Sequence, residues 1–240
     1  MTTVAVRPGN SLQRQLWLFA GLVLRPSAAV PAVLAEGSLG IGVAAIAVAC
    51  AVAAAGTTRF ASVMSVSELV YGPQRTPLVT LLLDTIGAAR AAVVVYLVEQ
   101  AWSAVLVITA IGPVLAWLLG ASAVHAAARI ASAGRPFRRF SVFAAYATAL
   151  ALIPSGLSTF IFEIDPLSPA SFIGRVITFG LVLWLGALYY RGIRAYYGVP
   201  PTRAVTILIV AVTLFYLVPA LLIAAAVIAI ITAAIMLQLA

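Results

Sequence analysis

Two groups of charged side chains could carry chemistry in this chain. In the first group, Glu163 and Asp165 are close in sequence to Arg175, which lies one turn inside an apolar run. Carboxylates and a guanidinium at such positions could relay ions or protons through an apolar medium. They could equally form an ion pair that anchors a loop, with Arg175 extending towards water. We favour anchoring, and the relay remains the alternative.

The second group consists of arginines at the ends of apolar runs. One cluster contains Arg135, Arg138 and Arg139, and the other contains Arg191 and Arg194. Guanidinium groups beside apolar runs attract anionic lipid headgroups, at about 1 kcal/mol per charge. Docking of a protein partner is the alternative. We therefore predict that all five arginines contact lipid or a partner.

The sequence contains few residues of the kinds that form disulfides, metal sites or catalytic sites. The chain has one cysteine, Cys50, and one histidine, His125, too few for a disulfide within the chain or a histidine-based metal site. We find no zinc-protease, nucleophile-elbow or phosphate-loop motif. We therefore expect no catalytic residue, no cofactor and no metal, and a protein that is not an enzyme.

The composition indicates the surroundings of these charged side chains, because it differs from that of a soluble domain. Hydrophobic residues make up 64% of the chain and charged residues only 8%, whereas soluble domains carry about 25% charged residues. The net charge of +8 comes from fourteen arginines and no lysine. These arginines separate apolar runs and form no basic face with interleaved aromatic residues, so we expect no nucleic-acid partner.

The apolar runs predict an all-α membrane bundle with five transmembrane helices and additional interfacial helices. The predicted spans are Ser38–Ala55, Trp102–Ala128, Ser141–Phe162, Phe172–Tyr190 and the run that follows Arg203.

Two further segments are apolar but are not predicted to span. Leu16–Leu24 is too short, and we expect it to form an interfacial helix with Trp17 and Phe19 facing lipid. Leu78–Val98 is long enough, but Asp84 and Arg90 would each cost about 2.5–3.5 kcal/mol near the centre of a span. We predict one helix over Leu78–Val98 that lies at the interface or packs on the bundle.

The last apolar run is unusually long. Ala204–Ala240 contains 37 uncharged residues, which as one helix would reach about 56 Å against a hydrocarbon thickness of about 30 Å. Pro219 could kink the helix or mark a hairpin, but no polar turn residues flank it. We favour one kinked helix whose excess length contacts a membrane protein partner or a second copy of the chain.

The arginines also predict the orientation. Arginine-rich segments stay on the cytoplasmic side, so the N-terminus and the 129–139 and 191–203 loops should be cytoplasmic. The acidic 163–170 loop and the C-terminus should then lie outside the cell membrane. We divide the chain into a cytoplasmic or interfacial segment over residues 1–37 and one transmembrane domain over residues 38–240. We also expect an aromatic belt at the membrane surface, formed by Trp184, Tyr189, Tyr190, Tyr196 and Tyr197.

Several stretches of this sequence resemble the Yip1 domain family. They are "VLRPSAAV" at Val23–Val30, the glycine, aromatic and mid-helix proline pattern of Gly134–Pro154, and "WLGALYYRGIRAYYGVPPTRAV" at Trp184–Val205. "ELVYGP" at Glu68–Pro73 is similar to the Asp-Leu-Tyr-Gly-Pro motif of eukaryotic members, with an extra residue. The resemblance covers about Leu16–Ala220. It implies a cytoplasmic N-terminal region, five spans and an external C-terminus.

Three functions follow as hypotheses. The resemblance favours a non-enzymatic membrane scaffold that binds lipid or partners. The long apolar run Ala204–Ala240 favours an accessory subunit of a larger membrane complex. A transporter or channel component using Glu163, Asp165 and Arg175 is the third hypothesis, although the sequence shows no inverted repeat.

Overall fold

The computed structural model describes residues 11–63, 77–162 and 169–239. Within these ranges the chain forms eight α-helices and no strand. The helices are α1 Ser11–Leu24, α2 Pro26–Glu36, α3 Leu39–Val63, α4 Pro77–Ile86, α5 Ala88–Ile130, α6 Phe137–Phe162, α7 Pro169–Tyr197 and α8 Pro201–Leu239. The predicted all-α fold class is confirmed.

Five of these helices are long and apolar enough to cross a membrane. The candidate spans are Leu39–Arg59, Leu106–Ile130, Phe137–Phe162, Pro169–Tyr197 and Pro201–Leu222. Their number and order agree with the prediction. Helices suit hydrocarbon because each satisfies its backbone N–H and C=O groups internally.

The N-terminal segment forms two short helices joined at Arg25. Pro26 occupies the first turn of α2, where its missing N–H costs nothing and its fixed φ favours the helix. A following proline disfavours the helical region for the residue before it, and Arg25, with φ −143° and ψ 63°, lies outside that region. The Arg25–Pro26 pair therefore separates α1 from α2.

The prediction of one helix over Leu78–Val98 is wrong. α4 ends at Ile86, and Gly87 has a φ of +77°, a left-handed conformation that glycine adopts without steric cost and that ends helices. The later part of the segment is the start of α5, a helix of 43 residues. Asp84 and Arg90 therefore belong to two different helices.

The last apolar run forms a single helix through Pro219. α8 contains 39 residues and includes Pro219 in its interior. The alternative of a hairpin at that proline is wrong for the described residues. Without polar side chains to bond to the backbone of a turn, continuing the helix keeps the backbone groups paired.

The chain divides into two compact units. Unit 1 contains the described residues of 1–39, 116–147 and 186–240, and unit 2 contains those of 40–115 and 148–185. The transmembrane domain predicted over residues 38–240 stays a prediction.

In unit 2, small residues let α3 and α6 approach closely. A Cβ added to Gly156 would lie 2.9 Å from Val52 Cγ1, and one added to Gly56 would lie 3.6 Å from the Gly156 carbonyl oxygen. The Ser158 hydroxyl donates a 3.3 Å hydrogen bond to the Gly174 carbonyl. Close backbone approach through small residues and side-chain hydrogen bonds is the usual packing of helices in membranes.

In unit 1, α6 is buried over a continuous stretch. All residues from Phe140 to Ala147 are buried, whereas a helix with one exposed face would alternate. Among them Phe143 lies directly against the backbone of α7. A Cβ added to Gly192 would lie only 2.3 Å from Phe143 Cε1. Position 192 therefore accepts only glycine while Phe143 keeps its place.

Replacing Gly192 by alanine should lower the thermal stability of the protein. The new methyl group would displace a fully buried ring, and overpacking of this kind typically costs about 1–3 kcal/mol. Gly186 is the matched control, since it lies on the same helix and a Cβ there would meet nothing within 4 Å. We expect a clear loss of Tm for Gly192→Ala and none for Gly186→Ala in detergent. Equal Tm values for the two variants would contradict this packing.

Candidate lipid- and partner-binding surface

Aromatic rings from α6 and α7 form a cluster next to the predicted arginines. Its members are Phe140, Phe143, Tyr189, Tyr196 and Tyr197, all buried. The Phe140 ring centroid lies 5.6 Å from that of Tyr197 and 6.0 Å from those of Tyr189 and Tyr196, distances typical of favourable aromatic pairs. The prediction that these tyrosines face the membrane surface is wrong.

The tyrosines are buried because their hydroxyl groups find partners inside the protein. The Tyr196 hydroxyl donates a hydrogen bond to the Pro136 carbonyl. The Tyr197 hydroxyl lies 3.3 Å from His125 Nδ1, within hydrogen-bond distance. Burying a phenol hydroxyl without a hydrogen-bond partner is costly. These two contacts therefore explain why Tyr196 and Tyr197 are buried, although tyrosine is also common at membrane surfaces.

Of the first arginine cluster, Arg135 and Arg139 are held by contacts within unit 1. The Arg135 guanidinium carbon lies 5.8 Å from the centroid of the Tyr196 ring, within the range of a cation–π interaction. Arg139 Nη1 donates a 3.0 Å hydrogen bond to the Ala35 carbonyl in the last turn of α2, where a cation is favourable. Arg138 is exposed. All three therefore keep their charge near the surface.

The second arginine cluster lines an open groove. Arg191 and Arg194 project from the last two turns of α7, and Arg194 lies 5.9 Å from the centroid of the Tyr190 ring. The groove has a volume of about 400 Å³. It is lined by Ser27, Val30, Pro31, Arg191, Arg194, Ala195 and Val199. Sequence reasoning found the arginines but not the groove, because its other wall comes from α2.

A buried polar group that the sequence did not reveal connects α1 to α6. The Tyr146 side chain is fully buried, and its hydroxyl donates a 2.5 Å hydrogen bond to Gln15 Oε1. The backbone N–H of Ser38 lies 3.3 Å from both of these oxygens. Gln15 also donates to the Glu36 carbonyl at 3.2 Å. The sequence offered little signal, because Gln15 is one of several polar residues in the first two turns of α1.

Helix α1 is apolar on two faces. Leu18 and Leu22 are buried in unit 1, and the Phe19 ring stacks on Tyr146 with 4.3 Å between centroids. The prediction that Phe19 faces lipid is therefore wrong. Trp17 is 67% exposed, and its contact with lipid stays a prediction. Leu12, Leu16, Val23 and Leu24 are also exposed on α1, apolar side chains of the kind that an interfacial helix presents.

The predicted charge cluster of Glu163, Asp165 and Arg175 is only partly described by the structure. Glu163 and Asp165 lie outside the described residues. Arg175 is exposed on α7 in unit 2. Whether these three side chains anchor a loop or relay ions stays a prediction.

The five candidate spans, with leucine, isoleucine, valine and phenylalanine exposed on their surfaces, define a multi-pass α-helical membrane protein. The Yip1 domain model matches residues 20–222. The chain therefore belongs to the Yip1 domain family, as its resemblance implied. No curated protein and no solved structure matches the chain.

Replacing Tyr146 by phenylalanine should loosen α1. The change removes the hydroxyl that bonds to Gln15, and a net loss of about 1 kcal/mol corresponds to about fivefold faster local opening. Hydrogen exchange of the α1 amides, followed by mass spectrometry, measures this opening. Tyr216→Phe is the control, because Tyr216 is 68% exposed on α8. Unchanged exchange of α1 in Tyr146→Phe would contradict a holding role for this hydroxyl.

Proposed function

We propose that this chain is a non-enzymatic Yip1-type membrane scaffold that holds anionic lipid and partner proteins at its arginine clusters. The observation that carries the proposal is how the arginines are held. Within the described part of the chain, none of Arg135, Arg138, Arg139, Arg191 and Arg194 lies within 4.0 Å of a carboxylate. Aromatic rings lie beside Arg135 and Arg194, and a backbone carbonyl accepts a hydrogen bond from Arg139. Such neighbours orient a guanidinium without neutralising it.

The charge of these arginines is thus available to a ligand. Arginine next to a membrane attracts anionic lipid by about 1 kcal/mol per charge. Salt screens this attraction over a Debye length of about 8 Å at physiological ionic strength. Several arginines on one unit can therefore recruit anionic lipid or an acidic protein surface.

The groove supports binding better than catalysis. Its polar lining consists of Arg191, Arg194 and Ser27. A serine hydroxyl becomes a nucleophile when a neighbouring base accepts its proton, and arginine does not accept protons at neutral pH. The lining residues suit recognition of an anion.

An accessory-subunit role is the second candidate, and the length of α8 favours it. Its 39 residues reach about 58 Å, nearly twice a hydrocarbon thickness of about 30 Å. Tilting absorbs only part of such an excess. A membrane protein partner or a second copy of this chain could cover the remainder.

We expect the purified protein to retain anionic lipid preferentially. After reconstitution in nanodiscs with equal amounts of phosphatidylglycerol and phosphatidylcholine, native mass spectrometry of the released protein should show phosphatidylglycerol enriched among bound lipids. Raising the salt concentration before release should reduce the enrichment, because salt screens exposed charges. Lipid retained in the ratio supplied would contradict the proposed lipid binding. A stoichiometric second chain after gentle extraction from the native membrane would favour the accessory-subunit role.

We also expect the arginine-rich loop to be cytoplasmic, with the N-terminus on the same side of the cell membrane and the C-terminus outside. In a Cys50→Ala background, Ser132→Cys places a thiol in the α5–α6 loop, and Ala170→Cys places one at the start of α7; both positions are exposed. A membrane-impermeant maleimide applied to intact cells should label the cysteine at 170 and label the one at 132 only after lysis. The reverse pattern would invert the orientation.

A further inference from the structure

We propose that the groove between α2 and the end of α7 binds the phosphate headgroup of one anionic phospholipid, an inference that rests on the proposed lipid-binding function and gives it a site. The lining of the groove combines two cations with an apolar floor. Such a lining is complementary to an anionic phospholipid, whose phosphate is negatively charged and whose adjoining glycerol and acyl carbons are apolar.

The cations are placed to act together. Arg191 and Arg194 are three residues apart on α7, so their side chains lie on the same face of the helix. Both line the groove, and both are exposed. Guanidinium groups form paired, charge-assisted hydrogen bonds to phosphate oxygens. The Ser27 hydroxyl, on the opposite wall, adds a neutral donor.

The floor of the groove is apolar. Pro31 and Ala195 are exposed in the groove and supply its apolar surface. Val30 and Val199, 1% and 8% exposed, complete the lining as buried side chains. A soluble inorganic anion gains nothing from such a floor, whereas the carbon atoms next to a lipid phosphate can cover it. The combination therefore favours a lipid over free phosphate.

The position of the groove along α7 also fits a headgroup. α7 has 29 residues and is about 44 Å long, against a hydrocarbon thickness of about 30 Å. When the helix is centred in the bilayer, Arg194 lies about 16 Å from the midplane, at the edge of the hydrocarbon, and Arg191 lies about 12 Å from it, close enough for its long side chain to extend into the headgroup layer. The exposed apolar residues of α1, the helix that precedes α2, indicate contact at the same interface.

The experiment compares two double variants that remove the same charge. Arg191→Gln with Arg194→Gln removes both cations from the groove, while Arg25→Gln with Arg129→Gln removes two exposed arginines that do not line it. Phosphatidylglycerol is titrated into each detergent-solubilised protein, and the first binding event is followed by native mass spectrometry. We expect the groove variant to bind this first lipid about tenfold or more weakly, and the control to change by less than about threefold.

Equal weakening in both double variants would overturn the groove as a site, and would leave general recruitment by surface charge intact. A wild-type protein with no preference for phosphatidylglycerol over phosphatidylcholine would overturn the proposed lipid binding itself. Glycerol 1-phosphate serves as the soluble probe. We expect it not to displace the lipid at equal concentration, and displacement would overturn the assignment to a lipid.

Because Arg194 also contacts the Tyr190 ring, the double variant could lose lipid by misfolding. A single variant at Arg191 controls for this. Arg191→Gln is compared with Arg129→Gln, and both are checked against the wild-type melting temperature. We expect Arg191→Gln to weaken binding of the first lipid by about threefold to fivefold and Arg129→Gln to leave it unchanged. No difference between these two variants would contradict the inference.

Discussion

Contact between the Phe143 ring and the backbone at Gly192 sets the arrangement of unit 1. Tyr189 and Tyr196 lie three residues before and four residues after Gly192, so all three share one face of α7. The ring of Phe143 fills the space that a side chain at 192 would occupy, with Tyr189 at 6.2 Å between centroids. The helical period then places Arg191 and Arg194 on the opposite face, towards α2. One missing Cβ thus fixes both the aromatic core and the direction of the cations.

The spans could be predicted because their cause is local. A run of about twenty apolar residues is solvated by hydrocarbon whatever its neighbours are, so the five spans follow from the sequence alone. The continuity of α8 through Pro219 was also predictable, since no polar side chain nearby could hold a turn. The break between α4 and α5 at Gly87 was harder to predict, because a single glycine in an apolar run is compatible with both a continuous and a broken helix.

The side-chain partners could not be predicted, because they join distant parts of the chain. Phe19 stacks on Tyr146, and Arg139 bonds to the Ala35 carbonyl. α1 is apolar on two faces, so its pattern does not show which face meets protein and which meets lipid. For the same reason the arginines of the groove were identified, but Ser27 and Val30 were not. Tyrosines at the end of a span fit a membrane belt and a buried cluster equally well until their hydroxyl partners are known.

The groove has a positive charge that the cell cannot readily adjust. All cationic side chains of this protein apart from its single histidine are arginines, and none is lysine. A guanidinium remains protonated throughout the physiological pH range, and acetylation, which neutralises lysine, has no target here. The charge of Arg191 and Arg194 is therefore constant over time. Any change in the occupancy proposed for this groove has to come from the surroundings: the ionic strength, the abundance of anionic lipid in the membrane, or a competing acidic surface.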